Sequence, residues 1–169
     1  MTGSSLVRGV ILLGFCSLAG GCAGATWKGA HFDPSYKAPK QLNVAIVVQA
    51  KGEDVTEAVR VMREALSAEL KNRGIAASFN EVSAVPASAE LSVIEWVPGS
   101  QVLRYLVGFG AGAAAMVVVV KSPSVDGQPG LSGEVRGWVK SGMLGGNATN
   151  AASLAGQSIG KAIATGEAD

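Results

Sequence analysis

The sequence predicts an α/β domain: one sheet of about five strands with two main helices packed mostly on one face, in the order β-α-β-β-β-β-α. Three observations carry this. Short β-branched apolar runs recur, at 42–49 and again from Val117 to Val120. A stretch from Val55 to Leu70 is apolar at helical spacing. Glycine and proline clusters separate the runs, as turns do.

Taken in order, Ala23 to Lys40 holds Gly24, Gly29, Pro34 and Pro39 without a clean period and reads as a tether. Leu42 to Gln49 is a short apolar run of the kind that forms a buried strand. Glu53 and Asp54 follow, acidic residues suited to a helix start. Val55, Ala58, Val59, Met62, Ala65, Leu66 and Leu70 then make one face, while Arg60, Arg63, Glu64, Lys71 and Asn72 fall mainly on the other. This predicts a helix of about five turns, ended by Arg73 and Gly74. Ile75 to Val82 is a second strand, and Glu90 to Val97 a third, stopped by Pro98 and Gly99. Ala113 to Lys121 is a fourth strand; Val125 to Gly130 is a turn; Leu131 to Val139 is a fifth strand, antiparallel to the fourth in a hairpin. Ser141 to Gly146 is a loop, and Asn147 caps a last helix that runs through Ile163, with Leu154, Ile159 and Ile163 among its apolar positions.

Ahead of all this stands a short segment with one positive side chain, Arg8, then an apolar run from Gly9 to Leu18, then Ala19, Gly20 and Gly21 directly before Cys22. A basic start, a short apolar core and a small-residue end are the parts of an export signal. The run is shorter than the roughly 20 residues of a spanning helix. The segment Leu18 to Cys22 resembles the lipobox of bacterial lipoproteins, although Ala19 stands where that pattern prefers a branched apolar residue. The competing Cys16 follows the bulky Phe15. The resemblance implies cleavage between Gly21 and Cys22 and lipid on Cys22. Each buried methylene contributes about 0.8 kcal/mol, so two or three acyl chains anchor firmly where one does not. Ala23 is not the aspartate that retains such proteins at an inner membrane, so the resemblance implies an outer-membrane anchor facing the periplasm. The expected organisation is a signal peptide over 1–21, a lipidated N-terminus and tether over 22–40, and a single α/β domain over 41–165.

Removing the first 21 of 169 residues leaves 148, enough for one domain with a real core. The chain has 14 basic and 13 acidic side chains, and Arg8 leaves with the signal, so the mature balance is zero. Nothing pulls such a surface toward nucleic acid or anionic lipid by net charge. With Cys16 removed and Cys22 acylated, no thiol remains for a disulfide or a thiolate metal site. The 23 glycines and few aromatics point to close packing and tight loops.

The most distinctive stretch runs from Pro98 to Gly112 and ends Gly108-Phe109-Gly110-Ala111-Gly112. A phosphate cradle needs its glycines to open a helix; these lead into a β-branched run and lack a Gly-Lys-Ser/Thr ending. A membrane segment is suggested by the uncharged run from Tyr105 to Val120, but it is short and its valines favour strand. A structural or binding loop between strands is the preferred reading, since glycine permits positive φ and close backbone approach.

Gly99-Ser100, Arg104-Tyr105 and Gly108 to Gly112, followed by an alternating strand and a late Gly145-Gly146, resemble a family of short bacterial lipoproteins defined only as a domain of unknown function. The resemblance spans roughly Leu42 to Ile163. In that family a basic residue often follows soon after the last glycine, and here Ala113, Ala114 and Ala115 stand instead. The strand order is also similar to the α/β domains of the curli-secretion lipoprotein and of the Tol-system translocation protein, which is fold analogy alone. The resemblance makes Ser100, Arg104, Tyr105, Gly108, Phe109, Gly110 and Gly112 the candidate binding loop.

Other residues carry less. His31 is the single histidine, beside Asp33, and makes no metal site without partners. Ser100 lacks a Gly-x-Ser-x-Gly elbow and a nearby base. Glu90 and Glu95, an odd number of strand residues apart, are expected on opposite faces. Arg104 is a cation beside exposed backbone, suited to a carboxylate or a partner loop, or else paired with Glu90, Glu95 or Glu134. Trp96 and Trp138 are expected on strands, packed in the sheet. The sequence therefore predicts no catalytic set, no cofactor and no metal. It predicts a non-enzymatic envelope lipoprotein that binds another envelope component or itself. The alternatives are an oligomeric pore-forming or secretion-accessory lipoprotein inserting Leu106 to Val120, and a cell-wall hydrolase.

Overall fold

The computed structural model describes residues 23–80, 88–100, 112–122, 130–140 and 147–168. Among these residues six strands and two helices follow one another: β1 Ala23–His31, β2 Gln41–Val48, α1 Val55–Asn72, β3 Ala76–Asn80, β4 Ala89–Val97, β5 Ala114–Lys121, β6 Ser132–Val139 and α2 Thr149–Thr165. The strands form one sheet in the order β1-β6-β5-β4-β2-β3. β2 is parallel to β3 on one side and to β4 on the other. β4, β5, β6 and β1 run antiparallel in turn. The mixed α/β fold is the expected one, with a sixth strand.

That strand is β1, within the residues read as a tether. Ala23 to Lys28 pairs with Val139 back to Glu134, and the Trp27 indole N–H donates to Ser158 Oγ at 2.9 Å. The glycines that made this stretch look loose have work inside a strand. Gly24 lies under the Trp138 ring, which a Cβ would approach to 3.2 Å, and Gly29 takes φ +62° where the register with β6 shifts. The following residues pack too: Phe32 meets Tyr36 edge-on at 6.0 Å, and Tyr36 donates its hydroxyl to the Ile163 carbonyl at 2.7 Å.

The helix face of the sheet is legible from alternation. Ala114, Met116, Val118 and Val120 of β5 are fully buried, and Leu42, Val44, Leu91, Val93 and Val135 join them. α1 places Ala58, Met62, Leu66 and Leu70 on this layer, the face its periodicity predicts. The helix ends at Gly74, φ +75°, with the Gly74 N–H on the Lys71 carbonyl and the Ile75 N–H on the Leu70 carbonyl, a Schellman closure. The last helix begins at Thr149, and Asn147 Oδ1 accepts the Thr149 N–H at 3.2 Å.

Small residues set the depth of α2. A Cβ on Gly137 of β6 would lie 2.0 Å from the Ala151 carbonyl oxygen, and one on Gly156 would lie 2.3 Å from the Met62 carbonyl oxygen. α2 thus rests on β6 through one glycine and against α1 through another. Gly160 continues the contact four residues on, with a Cβ there 2.9 Å from Glu69 Cβ.

On the other face none of the described helices packs. The register assigns Ala115, Val117, Val119 and Lys121 of β5 to it, with Glu134, Arg136 and Trp138 of β6 beside them. Ala115 and Val117 are nonetheless only 4% exposed. β4 carries a bulge between Val93 and Glu95. The extra residue, Ile94, restores Glu95 to the face of Glu90, so the expectation of opposite faces is corrected. Their register partners, Val117 and Lys121, are four residues apart, about 13 Å along a strand. That exceeds the roughly 6.5–9.5 Å of paired hydrolytic carboxylates.

Two predictions follow from the packing of α2. Gly156→Ala gains about 1 kcal/mol in helix propensity but forces a methyl group onto backbone. A net loss of about 1–2 kcal/mol is expected in urea unfolding, with Gln157→Ala, an exposed neighbour, near neutral. Burial pushes the Tyr36 hydroxyl up from 10.0 to about 12. Its folded-state value is raised, so its contribution is complete below pH 10 and is lost as pH rises toward 12. Tyr36→Phe is expected to cost about 1 kcal/mol at neutral pH and to flatten that alkaline loss in melting curves taken across the range.

Candidate functional site

The strand directions gather one end of the sheet. Ala23 and Ala114 both stand opposite Val139, and Val97 stands opposite Ala115. β2 and β3 run parallel to β4, so their carboxyl ends, at Val48 and Asn80, point the same way. This end therefore carries the start of β1, the exits of β4 and β6, the entry of β5, the carboxyl ends of β2 and β3, and the start of α1.

The glycine loop predicted from sequence leaves and returns here. Of its candidate residues, Ser100 and Gly112 lie among those described, while Arg104, Tyr105, Gly108, Phe109 and Gly110 lie outside them, as do Gly21 and Cys22. Its two feet are pressed together. Gly99 takes φ +65° and Gly112 φ +80°, and a Cβ on Gly99 would lie 2.2 Å from the Gly112 carbonyl oxygen and 2.8 Å from that of Ala113. Only glycine fits such a neck. β4 precedes this stretch and β5 follows it, and residues 101–111 between them lie outside those described. β5 is hydrogen-bonded on both sides within the sheet, so insertion of Leu106 to Val120 into a bilayer would remove a central strand.

Among the described residues, two concave surfaces open at this end. On the sheet face opposite α1 and α2, Val97, Ala113, Ala115 and Trp138 line a hollow of about 420 Å³ together with Thr26, Arg136 and Lys140. The Lys140 ammonium stands 5.2 Å from the Trp138 ring centre, a cation–π contact. On the helix side, a larger cleft of about 540 Å³ lies between the carboxyl ends of β2 and β3 and the first turns of α1. Ile46, Val48, Val59 and Phe79 give it apolar walls; Thr56, Glu57, Arg60, Arg63 and Asn80 are its polar groups. Open α/β sheets bind ligands outside the carboxyl ends of parallel strands, and this volume is in the range of ligand sites.

The charges of the cleft are unequal. Arg60 donates to both carboxylate oxygens of Glu57, at 2.6 and 2.8 Å, and to Glu64. Those hydrogen bonds, first Glu57's and then Glu64's, raise the guanidinium further above its usual value, and the Arg60 bond holds the Glu57 carboxyl below its own. Arg63, one turn on, makes none of the ion pairs found among the described residues. Sequence reading placed Arg63 on the polar side of the helix and missed the cleft. The missing signal is three-dimensional, because Val48 and Phe79 meet Val59 only once β2, β3 and α1 are assembled.

Elsewhere, His31 is exposed at the end of β1, and Asp33 accepts hydrogen bonds from the Ser35 N–H and hydroxyl, which lower its pKa. Trp96 is buried in the core, and its indole N–H has no hydrogen-bond partner among the described residues. No cluster of three or more His, Cys, Asp or Glu suited to a metal occurs among the described residues, and no described helix is long and apolar enough to cross a membrane.

Similar folds occur among solved structures. A variant of the PelC dodecamer from Paraburkholderia phytofirmans is 16% identical, covers 80% of this chain and 95% of its own, and has a TM-score of 0.47. The PelC dodecamer itself gives 14%, 80%, 95% and 0.48. A DUF4136 family protein from Bacteroides thetaiotaomicron is 11% identical over 83% of this chain and 95% of its own, with a TM-score of 0.39. No curated protein matches. The family described as domain of unknown function DUF4410 matches residues 36–165, most of the chain, from the turn before β2 to the end of α2, and the protein belongs to that family.

Proposed function

We propose that the protein is an envelope lipoprotein, cleaved before Cys22 and acylated there, whose α/β domain is a non-enzymatic binding or assembly module. In this reading it sits on the periplasmic side of an outer membrane. Its partner is another envelope component or a second copy of itself. The supporting sequence is the resemblance of Leu18 to Cys22 to a lipobox. The observation that carries the reading further is the position of β1. The strand starts at Ala23, the residue after the cysteine, and is paired with β6 from that residue onward. An acylated Cys22 would therefore hold the sheet end with no spacer between lipid and fold. The glycine loop, the Trp138 hollow and the cleft of β2, β3 and α1 would all lie within reach of the membrane surface.

Intact-mass measurement of the mature protein tests the anchor. The expected mass corresponds to a chain starting at Cys22 plus acyl groups, and the Cys22→Ser protein is expected to lose both the lipid and its sedimentation with membranes. A mature chain with an unmodified Cys22 overturns the reading. The module is tested by in-cell crosslinking from a photoreactive residue at Ser100 or Lys140. Envelope proteins or a second copy are the expected captures, and a chain that hydrolyses purified cell wall would count against the non-enzymatic role.

A further inference from the structure

The cleft between β2, β3 and α1 combines features that narrow its occupant. Its walls are apolar, Ile46 and Val48 from β2, Phe79 from β3 and Val59 from α1, and Val48 is 47% exposed there. A large apolar side chain left open beside other apolar groups marks a surface made to be covered. Of its two cations, Arg60 is neutralised by Glu57 and Glu64, which leaves Arg63 as the group able to bind an anion. Arg63 is also the deeper one. It is eight residues into α1 from Val55, about 12 Å along the axis from the end where the helix begins. Val48 and Thr56 are exposed while Ile46, Val59, Arg63 and Phe79 are half-buried, so the cleft has its mouth where β2 finishes and α1 begins. The mouth opens at the sheet end from which Ala23 leads back to Cys22.

We infer that this cleft holds one anionic phospholipid of the membrane to which the chain is anchored, with the phosphate on Arg63 and an acyl chain along Val59, Phe79, Ile46 and Val48 toward the mouth. The inference rests on the lipoprotein reading for its choice of lipid, since anchoring turns the mouth toward a bilayer. Charge and depth agree with that choice. A head group lifted about two helical turns from the mouth leaves its hydrocarbon pointing back to the leaflet it came from. A soluble anion would leave the apolar walls wet, and an uncharged lipid would leave Arg63 unmatched.

The test uses the full mature chain in a neutral detergent with phosphatidylglycerol carrying a photoreactive group in its tail. Diacylglycerol with the same tail, which has no phosphate, is the comparison. Labelling is expected in peptides from β2, α1 and β3, several-fold stronger with phosphatidylglycerol. Arg63→Glu is expected to lower it about ten-fold and Arg63→Lys to retain most of it. Val59→Trp fills the cleft and is expected to abolish labelling; Val48→Asp, at an exposed position, gives the same readout should the tryptophan disturb folding. Equal labelling by both lipids overturns the proposal, as does labelling that survives Val48→Asp, or full displacement by inorganic phosphate or by an acidic peptide. Flotation with vesicles reads the anchor separately. The Cys22→Ser chain is expected to stop floating yet still to label in detergent, so a failed anchor and a failed cleft give different results.

Discussion

The structure depends on how closely α2 can approach its neighbours. Gly137 admits the Ala151 carbonyl and Gly156 admits the Met62 carbonyl, each at a distance no Cβ tolerates. These contacts draw the last helix onto the sheet and against the first helix together. Ala151, Ala152, Ala155, Ile159, Ala162 and Ile163 are buried as a result. Alanine and glycine supply little apolar area each, so the layer gains by proximity and packing density rather than by side-chain size. α1 supplies the larger groups, Met62, Leu66 and Leu70, that fill the space so defined.

The same economy explains what was readable from sequence. The strongly periodic segment became α1 with its expected face, and its stop at Arg73 and Gly74 is a local hydrogen-bond pattern that the residues themselves specify. The valine run became the central strand, and the β5–β6 hairpin formed as its flanking strands suggested. β1 was not readable, because its evidence lies in its partner. Gly24 makes sense only beside Trp138, and Trp27 only beside Ser158. The face of Glu95 was misread for a similar reason. A bulge at Ile94 reverses the alternation, and neighbouring residues do not announce it.

Of the candidate site, the glycines of the loop neck were legible as glycines, and the structure gives two of them a reason: paired positive φ angles with backbone against backbone. The cleft was not legible. Its walls come from three elements, and each of its residues has an ordinary explanation where it stands in the chain. What unites the features of this end is direction. Three parallel strands finish there, and two antiparallel ones open and close there. Strand ends, cleft and first residue of the sheet share one side of the molecule, while the opposite end holds the close of β5 and the start of β6.

The pairing of β1 with β6 also sets an order in time. Ala23 is among the first residues of the domain to leave a ribosome or a translocation pore, and Val139, its partner, is among the last strand residues to follow. Contacts so distant in sequence form late, because loop closure must precede them. The first strand accordingly waits, unpaired, until nearly the whole chain is present. During that interval Ala23 and the residues after it have no partner strand, so any enzyme that must grip an extended peptide there has its opportunity before folding is complete.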